Sequence, residues 1–254
     1  MKLLLQLQFL GTDFCGYQVQ PRGRTVQGTL NEATERLFGF PCDVVGCSRT
    51  DSGVHANVFF ATVAKKGERT LVTSVPDDKL TGALNALLPP DLAVVSARWV
   101  SDEFHARYDV RYKEYVYRLY ASDTKDPFLL GRACFYKRPL TDEAVERMQR
   151  AAGYFVGRHD FASYMAAGSK VSSTVREVKY ADVYREGREI VFRVAADGFL
   201  YNMVRIMMGT LLAVAEGKAE PEDVPAMTAA RDRTATGMTA PACGLYLNQV
   251  VYHE

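Results

Sequence analysis

The sequence predicts an α+β protein built from two successive β-α-β-β-α-β runs. Three observations carry that expectation. Apolar residues alternate at period two in the short segments, as in Leu3, Leu5, Leu7 and Phe9, which is the strand pattern. Longer segments between them repeat apolar residues at helical spacing and carry cap residues at their ends. The order of elements, once completed near residue 100, begins again after Arg111. A chain of 254 residues is long enough for two cores of roughly 125 residues each.

The opening "MKLLLQLQFLG" places a lysine before leucines, as a secretion signal does, but Gln6 and Gln8 interrupt it and no small-residue cleavage site follows. It is the first strand. In "TVQGTLNEATERLFGF", Thr25 can cap, Val26, Leu30, Ala33 and Leu37 recur on one face, and Gly39 can terminate. Strands are expected at Val44–Cys47 and Val58–Ala64, separated by a loop from Ser48 to Asn57. A second helix, "KLTGALNALLP", stops at its prolines, and "LAVVSARWV" is a buried strand.

The second half opens on "RYKEYVYRLYA", a strand by its aromatic and β-branched content. "TDEAVERMQRAAGYFVG" is a helix with Val145, Met148, Ala152 and Phe155 inward. Val175–Tyr184 and Ile190–Ala196 flank "REGR" as a hairpin, "LYNMVRIMMGTLLAVAEG" is a long apolar helix, and "GLYLNQVVYH" is the closing strand. This order suits the ferredoxin-like unit used twice, with residues 1–104 as one domain and 105–254 as the other. Two such units side by side leave a cleft between them.

Lysines and arginines number 31 against 30 acids, so the summed field attracts neither nucleic acid nor an anionic membrane. A polyanionic partner must meet a local basic surface. Cys15, Cys42, Cys47, Cys134 and Cys243 include no closely spaced pair for zinc or redox work, and His55, His105, His159 and His253 are dispersed. Reduced thiols in a cytoplasmic protein are expected, with no metal indicated. "GTDFCG" lacks the spacing of either nucleotide-binding fingerprint, so ATP and NAD have no positive support.

The loop "SRTDSGVHAN" is ten residues, where a hairpin needs only about two to five. Thr50, Asp51, Ser52 and Gly53 serve equally as turn chemistry or as a setting that keeps one carboxylate ionised and oriented as a nucleophile or general base. His55 reads as structural. In "FHARYDVRYKEYVYRLY", Arg107, Arg111, Lys113 and Arg118 interleave with Tyr108, Tyr112, Tyr115, Tyr117 and Tyr120. Most of these tyrosines are core residues, and at least one suits stacking on an unstacked base. Arg205 interrupts an apolar helix and either snorkels to solvent or pairs with a buried acid.

Taken as a set, "SRTDSGVHA", "FHARYDVRYKEYVY", "HDFASY", "FLYNMVRIMMGTLL" and "PACGLYL" closely resemble the TruA-type tRNA pseudouridine synthases, over almost the whole chain from "GTDFCGYQVQ" on. The resemblance implies the pseudouridine synthase fold, with the two units' antiparallel sheets joined and the active site in the cleft between them. It implies isomerisation of uridine to pseudouridine on the 3′ side of the tRNA anticodon arm by a cytoplasmic homodimer, without metal or organic cofactor and without a membrane. By motif match Asp51 corresponds to the catalytic aspartate, Arg49 to the arginine before it, Tyr115 to the tyrosine packing on the target base, Arg205 to the arginine paired with the aspartate, and Leu245 to an apolar contact near the base. Ser52 departs from the family, where alanine is common. Asp51 would then add at C6, attack C1′, or take the 2′ proton on a glycal route. Candidates for the tRNA-binding surface are Arg22 and Arg24 in "QPRGR", with Arg107, Arg111 and Lys113. A non-catalytic RNA-binding protein is the competing class. A metal-dependent phosphoryl-transfer enzyme lacks companion carboxylates.

Overall fold

The structure is a computed structural model that describes residues 1–168 and 171–253. The chain forms a mixed α+β protein with two compact units, Met1–Arg111 together with residues from Leu247 on, and Tyr112–Tyr246.

In the first unit β1 (Lys2–Phe9), α1 (Val26–Phe38), β2 (Cys42–Gly46), β3 (His55–Lys65), α2 (Asp77–Asn85) and β4 (Leu92–Val100) follow in the expected order. The strand β1 lies antiparallel between β3 and β4, and β2 pairs with β3. That central position explains why Leu4 is buried along with Leu3, Leu5, Leu7 and Phe9. In α1 the Thr25 hydroxyl accepts from the Gly28 N–H at 3.2 Å, and Gly39 ends the helix in the left-handed region at φ 80°. The helix α2 ends at Asn85, before the prolines, and the Asn85 side chain exchanges two 2.8 Å hydrogen bonds with the backbone of Val94 on β4. A helix end is thereby bonded to the sheet it packs on.

The second unit contains β5 (Val110–Ala121), β6 (Cys134–Tyr136), α3 (Asp142–Gly153), β7 (Gly157–Asp160), β8 (Val175–Glu186), β9 (Glu189–Ala196), α4 (Met203–Ala215) and α5 (Val224–Ala229). Its strands run in the order β5-β9-β8-β7, antiparallel at each step, with the short β6 parallel to β5. Thr141 caps α3 through the Ala144 N–H, and Val145, Met148, Ala152 and Phe155 are buried as their spacing predicts. The last strand, β10 (Leu245–Tyr252), neighbours β3 and counts with the first unit from Leu247 on.

The helix α4 is buried on almost every side, from Met203 through Val214. The segment after α5 lies directly on it, since a Cβ placed on Gly209 would sit 1.7 Å from the Met238 carbonyl oxygen and one on Gly237 would sit 2.2 Å from the Gly209 carbonyl carbon. Backbone meets backbone there, and only glycine permits it. Gly209→Ala should therefore destabilise the protein by about 1–3 kcal/mol or more through overpacking. Gly82→Ala, in α2 with nothing within 4 Å of its new Cβ, should stabilise it by about 0.5–1 kcal/mol. Thermal unfolding of the two variants beside the parent reads both signs.

Candidate active site

The ladder between β2 and β3 continues one step beyond Gly46, because the Cys47 N–H donates to the Phe60 carbonyl at 2.8 Å and the Phe60 N–H to the Cys47 sulfur at 3.3 Å. The chain then leaves the sheet over Ser48–Val54 and returns at His55. His55, Ala56 and Asn57 belong to β3, so the loop is shorter than its composition suggests.

What holds this loop is the segment Gly11–Tyr17. The Tyr17 N–H donates to the Thr50 carbonyl at 3.1 Å, the Gly53 N–H to the Phe14 carbonyl at 3.2 Å, and the Ser52 hydroxyl to the same carbonyl at 3.3 Å. The Val54 N–H closes a turn onto the carbonyl of Asp51 at 3.2 Å. Gly11 has no room for a side chain, for its Cβ would lie 1.9 Å from the Val54 carbonyl oxygen; at Gly16, φ is 83° and the Cβ would lie 2.6 Å from the Thr50 oxygen. His55, fully buried, accepts the Gly11 N–H at Nδ1 over 2.9 Å. Tyr17 stacks on Phe59 with ring centroids 4.6 Å apart, and burial pushes its phenol well above the usual range. The half-buried Asp51 thus stands on a loop fixed on both sides of it. Ser52, the departure from the family pattern, adds a bond to that clamp.

The basic side chains of the first unit differ in setting. Arg49 and Arg22 are exposed. Arg24 grips Asp91 with two hydrogen bonds, of 3.0 and 2.5 Å, and lies 4.1 Å over the ring of Phe14, whose carbonyl the loop uses. Its charge is therefore largely engaged within the protein. Arg107 is exposed over the Tyr108 ring at 5.8 Å, beside a turn in which His105 Nδ1 accepts two backbone N–H groups. Arg111 is exposed at the start of β5.

In the second unit, Tyr115 is 6% exposed, opposite Val194 on β9, with its ring edge-on to Phe199 at 5.0 Å. Lys113, half-buried, is two residues earlier on the same strand. Arg205 does not snorkel outward. Half-buried in the first turn of α4, it donates from Nε to the Ala240 carbonyl at 2.7 Å and from Nη1 to the Asn202 side-chain oxygen at 2.8 Å. The carbonyl of the next residue, Pro241, accepts the Tyr117 hydroxyl at 2.8 Å, and Gly244 packs against the Arg118 carbonyl. Leu245, buried, follows directly. One stretch, 240–245, therefore fixes both Arg205 and Leu245 against the strand that carries Tyr115. Periodicity gave no sign of Phe199 or of the Ala240 carbonyl as supports, and the expected helix, begun at Leu200, ran through Asn202 rather than starting at it.

Cys243 lies in the same stretch. A hydrogen bond from the Cys134 thiol lowers its pKa to about 7, burial opposing and the Arg205 charge assisting. Among the described residues no group of three or more His, Cys, Asp or Glu side chains is gathered for a metal ion, and no described helix is long and apolar enough to cross a membrane. A carboxylate on a clamped loop is suited to nucleophilic or general-base work, and an aromatic ring with a seated arginine is suited to a flipped base and a carboxylate or phosphate.

A family model described as tRNA pseudouridine synthase matches residues 7–109 and 151–253. Proteins named tRNA pseudouridine synthase A are similar over nearly the full length. That of Ruminiclostridium cellulolyticum is 42% identical, covering 99% of this chain and 99% of its own. That of Halalkalibacterium halodurans is 43% identical over 95% of this chain and 89% of its own. That of Caldicellulosiruptor bescii is 39% identical over 98% and 99%.

Two expectations follow from the clamp and the thiol. His55→Phe leaves the buried Gly11 N–H without its acceptor, and should cost about 1–3 kcal/mol of stability while lowering turnover, as read by thermal unfolding and by steady-state kinetics. Alkylation of Cys243 by iodoacetamide should reach half its limiting rate near pH 7, rather than near the ordinary thiol value of about 8.5. Mass spectrometry of the modified peptides across pH checks this.

Proposed function

The chain belongs to the tRNA pseudouridine synthase family, and we propose that Asp51, Tyr115 and Arg205 act together on one uridine of the tRNA anticodon arm. The reaction, isomerisation of uridine to pseudouridine in tRNA, follows from that membership. It breaks the bond from N1 to C1′, turns the uracil, and joins C5 to C1′; a proton leaves C5 and one is gained at N1, so the formula is unchanged. The observation that supports the assignment of Asp51 best is its loop, held by backbone bonds and backbone contact to Gly11–Tyr17. A carboxylate fixed before substrate arrives needs little further ordering in the reaction.

The target base must leave its stack at a cost of a few kcal/mol, and stacking on an aromatic ring returns about 1–3 kcal/mol. In this proposal Tyr115 supplies that ring and Leu245 an apolar contact beside it. In this proposal the Arg205 charge favours the ionised form of Asp51, with Arg49 beside the carboxylate in sequence. The tRNA backbone is met by Arg22, Arg107, Arg111 and Lys113, and by whatever charge Arg24 retains beside Asp91. The enzyme is proposed to act in the cytoplasm as a homodimer, using side chains alone, with neighbouring uridines on the 3′ side of the anticodon arm as targets.

Incubation with unmodified tRNA transcript, followed by base-specific mapping of pseudouridine, tests the site of modification. Asp51→Asn should abolish product while tRNA binding persists, because the neutral isostere cannot serve as nucleophile or base. Equal loss of binding would make the loop structural. Arg205→Lys should be damaging although the charge is kept, since lysine lacks the planar fork. Activity should survive EDTA while the tRNA stays folded. Arg22→Ala should weaken binding and flatten the logarithmic salt dependence by about 0.7–0.9 for each phosphate that is no longer neutralised, with the rate at saturating tRNA unchanged. Arg24→Ala should in addition lower the melting temperature, because it breaks the pair with Asp91.

A further inference from the structure

Asn202 occupies the N-cap of α4, where an asparagine side chain ordinarily accepts a backbone N–H from the first turn of its own helix. It makes no such bond. Its side-chain oxygen instead accepts Nη1 of Arg205 at 2.8 Å, while its own carbonyl accepts the Ile206 N–H at 3.0 Å and starts the helix. The backbone at Asn202 is left-handed, at φ 60° and ψ 10°, a conformation asparagine tolerates better than most residues. That conformation directs the chain into α4 with the side chain toward Arg205 rather than over the helix end.

The second support of Arg205 is reciprocal, since Nε donates to the Ala240 carbonyl at 2.7 Å and the Ala240 N–H returns a bond to the Arg205 carbonyl at 3.1 Å. Two nitrogens of a planar group held by two acceptors set the plane of the guanidinium and the direction of its remaining nitrogen. The same turn reaches Tyr115, because Phe199, three residues before Asn202, meets that ring edge-on at 5.0 Å. The turn itself is pinned by the Ala166 N–H on the Tyr201 carbonyl and the Met203 N–H on the Leu200 carbonyl, each at 3.1 Å.

We propose that Asn202 is a positioning residue for the reaction, giving up its helix cap to orient Arg205, and that the turn Gly198–Asn202 is the common seat of the arginine and the tyrosine. The proposal rests on the role assigned to Arg205. It separates Asn202 from a residue needed only for its backbone, because glycine adopts the left-handed conformation without cost yet offers no acceptor.

The test compares Asn202→Gly in two backgrounds, the parent and Arg205→Lys, by single-turnover conversion of unmodified tRNA transcript, with steady-state kinetics on the parent background. Asn202→Gly should melt within a few degrees of the parent. It should lower kcat by about tenfold or more with little change in KM, the sign of an interaction that matters at the transition state. In the Arg205→Lys background the same change should have an effect of about twofold or less, because an ammonium has no planar fork for the acceptor to orient, and effects on one interaction do not add. Full activity of Asn202→Gly beside an impaired Arg205→Lys overturns this inference and leaves the site assignment standing. Equal losses in both backgrounds also overturn it, placing the action of Asn202 elsewhere. A fully active Arg205→Lys overturns the assignment of Arg205 and this inference with it.

Discussion

The contact on which the proposed role of Asp51 depends is backbone against backbone, between Gly11–Tyr17 and Thr50–Val54. Surface loops usually move because their amides bond to water. Here Tyr17, Gly53 and Val54 give their N–H groups to carbonyls within the two segments, and the buried imidazole of His55 takes the N–H of Gly11. The arrangement has a cost. Among the described residues the hydroxyls of Tyr17 and Thr50 are buried with no hydrogen-bond partner, at about 1–3 kcal/mol for each such group. Both residues belong to the two segments in contact, so stability is given up beside the carboxylate that the proposed reaction uses.

The second unit reaches a comparable rigidity by the same device. Gly209, Gly237 and Gly244 remove the side chains that would keep the 236–245 segment away from α4 and β5. With backbone in contact, the carbonyls of Ala240 and Pro241 become acceptors for Arg205 and for Tyr117. Burial accordingly raises the Tyr117 phenol far above its ordinary value, so Tyr117 remains a neutral donor. Tyr115, two residues earlier, is left to meet Phe199 and, in the proposed reaction, the flipped base.

Much of this was legible before the fold was known, for local reasons. Thr25, Gly39 and Thr141 mark helix ends through cap chemistry that spans only a few residues, and Leu92–Val100 forms the strand its apolar run predicts, although only Leu92 and Val94 of it are buried rather than the whole run. Asp51 stood out by its surroundings of hydroxyls and an arginine. The short strands β6 and β7 were illegible, because "CFY" and "GRHD" are too brief and too irregular to show a period. The tie between the end of α2 and β4 depends on Asn85 meeting Val94, and the engagement of Arg24 depends on Asp91, sixty-seven residues away. Pairings at that separation leave no periodic trace. For Arg205, the sequence left a solvent-seeking and a paired side chain both open, since nothing local shows that the Ala240 carbonyl comes to lie beside it.

The central claim is that the Asp51 loop is ordered before tRNA binds, and amide hydrogen exchange of the tRNA-free protein tests it most directly. The amides of Tyr17, Gly53 and Val54 should be protected to a degree comparable with those of β1 and β3, opening only with the unit as a whole, and tRNA should add little. Exchange within seconds at these amides in the free protein, slowing only when tRNA is added, would show a loop ordered by its substrate and would contradict the account.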